Sequence, residues 1–478
     1  MVYNMENRGK LAKYLFLHHC IRADIVNGKI PFGSTLPSKR HLAQELKVSV
    51  NTVERAYSLL VSEGYIEPHA GSGFTVCLEQ KQAHKFALFQ DEIEAGEETR
   101  STKKINNIID LKANRSSLEL FPLDTWSRLM RQVLSGCDLS ILETVPFNGL
   151  LVLRKAIASF LYETKGICVS PSRIIIGAGT EYLYSRLLQL LGNQCIIAIE
   201  DPGYKKFADI SRSFGTLWKY IPLDEQGILV STLSESRSDV VHVLPANQFP
   251  MGLVMSKSRR KELLAWLHES PNRYLIEDDY DSEIRYAGTA LPPLITQDDT
   301  QRVIYLNTFS KTLVPSLRIS YMILPDTLMD LYRKQLSFYS CTVSSFEQYT
   351  LAKFISEGYL QRHIKRLRRH YKQRRQVVFE AFQNSKIATC SSIFAGDVGT
   401  HFILRVETKK TEEEIHREAE KRNANIALLS DYCANPTIKE AHCIVVNFAS
   451  ISILGIRQAV ELLEDIFSEE IALQSNGN

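Results

Sequence analysis

The chain has 478 residues, 44% of them hydrophobic and 23% charged, with 57 Lys/Arg against 54 Asp/Glu and a formal net charge of +3. That length exceeds one ordinary hydrophobic core and calls for two or more domains of globular composition. No apolar run is long enough for a membrane span and no signal peptide is present, so a cytoplasmic protein without membrane contact is expected. Nine cysteines with no Cys-x-x-Cys pair argue against both a disulfide framework and a metal site. A net charge this small does not by itself mark a nucleic-acid binder, so that case rests on local pattern.

In chain order, a periodic segment from Leu11 to Val26 predicts a helix, with Asn27-Gly28 as its stop and Pro31-Phe32-Gly33 as a turn. Ser38 can cap a second helix running to about Leu46, and Ser49 a third from Val50 to about Glu63, closed by Gly64. So short a connection is the one a helix-turn-helix uses. Tyr65-Ile66-Glu67 and Phe74-Thr75-Val76 flank Gly71-Ser72-Gly73, which predicts a β-hairpin wing. The third helix would enter a major groove with Ser49, Asn51, Thr52 and Arg55 in its first turns. Asn and Arg can make paired hydrogen bonds to bases, while Ser and Thr anchor phosphates. Arg40 is set to grip the backbone from the second helix, and Gly73 joins the set through the wing. A small helical unit can also be a protein-binding module. The ordered run from Leu36-Pro37-Ser38-Lys39-Arg40 through Val48-Ser49-Val50-Asn51-Thr52-Val53 to Gly71-Ser72-Gly73, however, resembles the GntR winged-helix pattern. That resemblance implies double-stranded operator DNA as a partner. Val50 stands where the family commonly has Arg, and Lys47 where it has Gly at the inter-helix turn. Residues 1–76 carry only three more basic than acidic side chains, so affinity would rest on a few phosphate contacts and on dimerisation.

From Cys77 to Ile108 the pattern dissolves into mixed charge and predicts a linker between a DNA-binding domain at 1–76 and a second domain at 109–478. Beyond it, strands and helices alternate as in a doubly wound α/β sheet. Arg173 to Ile176 is a strand, Gly177-Ala178-Gly179-Thr180 a turn and Glu181 to Leu191 a helix. The amides at that helix start, from Gly179, Thr180 and Glu181, are natural phosphate donors. A strand from Cys195 to Ile199 then leads to Asp201-Pro202-Gly203-Tyr204.

The richest stretch runs from Arg273 to Tyr321. One apolar run, Tyr274-Leu275-Ile276, ends in Glu277-Asp278-Asp279-Tyr280-Asp281; another, Val303 to Leu306, ends in Asn307-Thr308-Phe309-Ser310-Lys311, with Arg318 seven residues on. Apolar runs of this kind predict buried parallel strands, whose carboxyl ends carry the ligand site of an open α/β sheet. Pyridoxal phosphate needs a lysine amine to bond its aldehyde, an acid at its ring nitrogen, a partner for its ring hydroxyl, and cations and amides for its phosphate. Lys311, Asp278, Tyr280 and Arg318 match those demands in order.

With Glu277-Asp278-Asp279-Tyr280-Asp281-Ser282-Glu283, the chain resembles the MocR branch of the GntR regulators, in which a winged helix-turn-helix is joined to a fold-type I aminotransferase-like domain. By that resemblance Lys311 carries the cofactor, Asp278 holds its ring nitrogen, Tyr280 its ring oxygen, and Thr308, Ser310 and Arg318 belong to the phosphate cup. Tyr204 stands where the fold type stacks an aromatic residue on the ring. The resemblance also implies a homodimer, with the site at its interface.

Three departures bear on catalysis. Val445, in Ile444-Val445-Val446-Asn447-Phe448-Ala449, stands where aminotransferases place the arginine that binds a substrate carboxylate, and valine cannot make that clamp. Thr144 stands where a tyrosine usually reaches the neighbouring subunit's phosphate, and Ser316 and Ser320 replace two glycines. The basic run from Gly358 to Arg369, His363 included, is expected to be structural. The expectation is therefore a regulator that binds pyridoxal phosphate, not a working enzyme. Its effector would be the vitamer itself or an amino acid, and its targets genes of vitamin B6 or amino-acid metabolism. The alternative is a catalytically active aminotransferase with a fused DNA-binding domain, or one with residual transaminase chemistry.

Overall fold

Serine hydroxyls start two of the three helices that open the chain. Ser38 Oγ accepts the His41 amide (3.2 Å) ahead of α2 (Lys39–Glu45), and Ser49 Oγ accepts the Thr52 amide (3.2 Å) ahead of α3 (Val50–Ser62). α1 (Lys13–Val26) and α2 both pack on α3, and Leu17, Ile21, Leu42, Val53, Ala56, Tyr57 and Leu60 form one core. A wing follows: β2 (Ile66–His69) pairs antiparallel with β3 (Gly73–Val76), and β1 (Thr35–Leu36), a strand too short to predict, adds to the other edge of β3. The computed structural model describes residues 12–69, 73–77, 109–112, 117–136, 139–394, 396–436, 442–449 and 451–475, together with Tyr3 and Met5. The start of the first predicted helix, Gly71 and Ser72 of the wing turn, and nearly all of the predicted linker lie outside the described residues.

The chain divides into two units, residues 1–106 and 107–478. In the second, β5 (Ile174–Gly177), β6 (Ile196–Asp201), β7 (Leu217–Asp224), β8 (Gly227–Ile228), β9 (Val240–Val243), β10 (Tyr274–Asp278), β11 (Val303–Thr308) and β12 (Ser320–Ile323) make one sheet in the order β5-β12-β11-β10-β9-β6-β7-β8. The strands from β11 to β7 run parallel, and β12 lies antiparallel between β11 and β5. Every residue of β5, β9, β11 and β12 is buried, as expected of a sheet covered on both faces. Leu153, Ile157 and Phe160 of the helix Leu151–Lys165 cover one face; Leu183, Tyr184 and Leu187 of the helix Thr180–Leu191 cover the other.

Towards the C-terminus, β13 (Ser391–Phe394), β14 (His401–Val406) and β16 (Cys443–Asn447) form a smaller antiparallel sheet, while β4 (Ile109–Asp110) and β15 (Ala424–Asn425) make a two-residue parallel pair. The 25-residue helix Tyr359–Gln383 joins the two halves of this unit. Its Leu360 and Ile364 sit in the core of the large sheet, and its Val378 and Phe382 in that of the small one. The predicted basic segment is this helix. Its His363 is buried, with Nε2 2.8 Å from the Thr312 carbonyl, and burial pushes its pKa down to about 4.

Candidate functional site

β6, β9, β10 and β11 end along one edge of the sheet, so the residues that follow them converge. Asp278, the last residue of β10, is 5% exposed. Its Oδ2 lies 3.5 Å from Nε2 of His242 on β9, and its buried Oδ1 has no hydrogen-bond partner. The His242 ring is fixed edge-on against Phe207, with centroids 4.2 Å apart. Two residues on, the Tyr280 hydroxyl receives a hydrogen bond from Asn247 Nδ2 (3.0 Å), which also donates to both oxygens of Asp281 (3.0 and 2.8 Å). Burial first, and then Asp281 and Asp278, push the Tyr280 phenol well above its ordinary pKa. Lys311 lies in the short helix Phe309–Thr312 after β11, with Nζ 6.0 Å from the Tyr280 ring centroid. Burial pushes its amine down to about 8, against the opposing pull of Asp281. Burial likewise pushes the Asp281 carboxyl up to about 7.

The predicted phosphate side gathers round the start of the helix Thr180–Leu191. Gly179 has φ +95°, and a Cβ there would fall 2.2 Å from Nη2 of Arg318, so a glycine is needed for the guanidinium to lie over this turn. Arg318 Nη2 also sits 2.5 Å from Glu181 Oε2, and Lys206 Nζ 2.7 Å from Glu181 Oε1. Burial works against it, but Lys206 and Arg318 prevail and hold that carboxyl below its usual range. Thr308 is engaged differently from an open phosphate donor: its hydroxyl caps the Lys311 helix, accepting the Ser310 amide (3.1 Å) and the Ser320 hydroxyl (2.8 Å). Ser320, a departure from the family glycine, is thus fully buried on a defined partner. Tyr204 is 38% exposed, edge-on to Phe207 and Phe249.

These features fit pyridoxal phosphate. Asp278 keeps a buried oxygen for a ring nitrogen, the Asn247–Tyr280 pair faces a ring oxygen, Lys311 offers a weakly basic amine, and the Gly179–Arg318 cradle suits a phosphate. Val445 sits in β16, wholly buried among Ile403, Ala427, Leu429 and Cys443. Asn247, His242 and Asp281 were missed in the sequence. Asp281 left a trace there in the acidic cluster after Ile276, and Asn247 as a polar residue just past an apolar strand.

In the first unit, Asn51 and Arg55 are exposed and four residues apart on α3, hence on one face. The Arg55 guanidinium is steadied over the Tyr14 ring at 5.6 Å. Ser49 and Thr52 share a 2.8 Å hydroxyl contact as part of the cap, Arg40 is exposed on α2, and Gly73 opens β3 with φ +95°. Lys47, in the inter-helix turn, adopts φ +53°, the region that favours glycine. Among the described residues no group of His, Cys, Asp and Glu could hold a metal ion, and no helix is long and apolar enough to cross a membrane.

Residues 13–76 match the family of bacterial regulatory proteins of the gntR type, and residues 106–445 match aminotransferase class I and II. The chain is 35% identical to the HTH-type transcriptional regulator YdeL of Bacillus subtilis, over 94% of this chain and 96% of that one. It is 30% identical to the probable rhizopine catabolism regulatory protein MocR of Rhizobium meliloti (96% and 94%). It is 31% identical to the pyridoxine biosynthesis transcriptional regulator PdxR of Corynebacterium glutamicum (86% and 87%). The fold is that of the kynurenine aminotransferase of Pyrococcus horikoshii, with a TM-score of 0.68 over 79% of this chain and 94% of that one, at 23% identity. The chain therefore belongs to the gntR family of HTH-type transcriptional regulators, in the MocR branch that carries a fold-type I aminotransferase domain.

Proposed function

We propose that this regulator acts as a cytoplasmic homodimer whose second unit binds pyridoxal phosphate as a sensed ligand rather than as the coenzyme of a running transamination. The observation that carries this reading is an asymmetry. The groups suited to the cofactor, Lys311, Asp278, Tyr280, Arg318 and Gly179, are all present and oriented, while Val445 is sealed in an apolar core where a substrate-clamping arginine would stand. When bound, the cofactor supplies an electron sink for carbon–nitrogen chemistry. Around it, Asp278 holds a proton at the ring nitrogen, Tyr280 and Asn247 orient the ring oxygen, Arg318 and the Thr180 end of its helix bind the phosphate, and Tyr204 covers the ring. Exposed apolar side chains at Leu118, Leu139, Leu142, Leu151 and Val152 support self-association of this unit. Two copies present two α3 helices, with Asn51 and Arg55 against bases and Arg40, Ser49, Thr52 and the Gly73 wing against the backbone, to the half-sites of an operator. Ligand alters transcription by favouring one arrangement of the dimer.

The kinship with a pyridoxine biosynthesis regulator supports the vitamer as effector and vitamin B6 genes as targets. The test is to select an operator from genomic fragments and measure its binding by fluorescence anisotropy with and without pyridoxal phosphate. Absorbance spectra of wild type and Lys311→Ala are recorded alongside. A cofactor band that requires Lys311 and an operator affinity that shifts with cofactor alone are expected. A shift seen only after an amino acid is added would overturn vitamer sensing, and steady turnover of amino donor and oxoacid would favour an active enzyme. The weakly basic amine of Lys311 is the one feature that suits that second reading.

A further inference from the structure

The end of β10 has two sides. Side chains alternate along a strand, so Asp278 faces the crevice while Glu277 and Asp279 face away from it, into a separate cavity of about 570 Å³. There Lys165 Nζ lies 2.6 Å from Asp279 Oδ2 and 2.8 Å from Glu283 Oε1, all three side chains at most 9% exposed. Arg260, Arg285, Lys365 and Arg368 line the same cavity, as do Glu163 and Glu277, so five cationic side chains face four acidic ones, a near balance that suits a ligand carrying both charges. The remaining oxygens of the pair, Asp279 Oδ1 and Glu283 Oε2, are buried with no hydrogen-bond partner, as are Gln361 Oε1 and Arg285 Nε on the same walls.

Three unmet acceptors on one cavity match the three N–H donors of an ammonium group. Arg285 and, towards solvent, Arg368 supply guanidinium donors for an anion, while Phe160, Leu291 and Ile364 give the cavity an apolar side. Its volume is within the range of small-molecule sites. We propose that this cavity is a second ligand site, distinct from the crevice, that binds an α-amino acid with its ammonium on Asp279 and Glu283 and its carboxylate on Arg285 and Arg368. The placement has a mechanical consequence. Residues 277–283 form a shared wall between cavity and crevice, and the Tyr359–Gln383 helix touches both. It contributes Gln361 and Arg368 to the cavity and, through His363, holds the Thr312 carbonyl beside Lys311. Occupancy of the cavity would therefore be felt at the crevice. That coupling rests on the regulator reading; binding at the cavity does not.

The test is calorimetric titration of the full-length protein with L-leucine and L-phenylalanine, with n-butylamine and isovalerate as half-ligands. Wild type is compared with Lys311→Ala, Glu283→Gln and Gln361→Leu, the last of which disturbs no ion pair if the buried Glu283 variant fails to fold. Binding is expected to persist in Lys311→Ala and to weaken by about tenfold or more in the two cavity variants. Both half-ligands should bind more weakly than the amino acids. Heat abolished by Lys311→Ala but untouched by the cavity variants would return the ligand to the crevice and overturn the proposal. So would butylamine binding as tightly as leucine, or no heat at millimolar amino acid, which would mean that ordered water alone fills the cavity. Operator binding that responds to cofactor while these heats are absent would sink this site and leave the regulator reading standing.

Discussion

A lysine amine ordinarily keeps its proton to about 10.5, but at Lys311 burial disfavours the charged form more than Asp281 favours it, which pushes the amine down to about 8. The neutral amine is the nucleophile towards an aldehyde, so uptake of pyridoxal phosphate, followed by absorbance, should accelerate as pH rises through about 8. Asp281→Asn removes the charge that props the proton on, so the profile should move to lower pH; an unchanged midpoint would contradict the assignment. Asn247, which bridges Asp281 and Tyr280, shows how residue-scale chemistry escapes a linear reading. Its role follows from a contact with residues more than thirty positions away, which a polar residue just past a strand does not by itself announce.

Single elements were more legible. The caps at Ser38 and Ser49, the helix stops and the apolar strands β5, β6, β10 and β11 are written in a few adjacent residues, and the structure has them within a residue or two of their expected bounds. β12 was not foreseen as a strand because its antiparallel place between β11 and β5 is set by partners, not by its own four residues. The Lys165 pairings join positions over a hundred residues apart and were out of reach for the same reason. The turn between α2 and α3 allows a direct test. Lys47 bears a left-handed conformation that costs an L-residue roughly 1–2 kcal/mol. Lys47→Gly should therefore stabilise the DNA-binding unit by about 1 kcal/mol in chemical denaturation, part of the relief being lost to unfolded-state entropy. Ser49→Ala should move it by about 1 kcal/mol the other way through loss of the cap.

For the molecule as a whole, buried acids couple folding to pH. Glu200, 1% exposed at the end of β6, is pushed up to about 8 by burial, against hydrogen bonds from Gln248 and Leu244. An unfolded carboxyl ionises near 4.5, so between there and about 8 the unfolded chain binds fewer protons than the folded one. Stability from this group is complete at acid pH and is lost as pH rises through about 8. The melting temperature should fall over that window and fall less in Glu200→Gln; parallel curves for the two proteins would rule the group out.

If the crevice takes its phosphate at Arg318 as proposed, the carboxylate of Glu181 would give it a set point. Arg318 and Lys206 do not wait open for an anion, since each already holds one of its oxygens. A phosphate arriving at Arg318 must compete with a tethered rival whose local concentration never changes. Half-occupancy would thereby move modestly to higher ligand concentration than the bare cradle would give, since these half-exposed ion pairs are weak. A coenzyme-dependent enzyme would be handicapped by such a threshold, whereas a gauge of supply depends on having one.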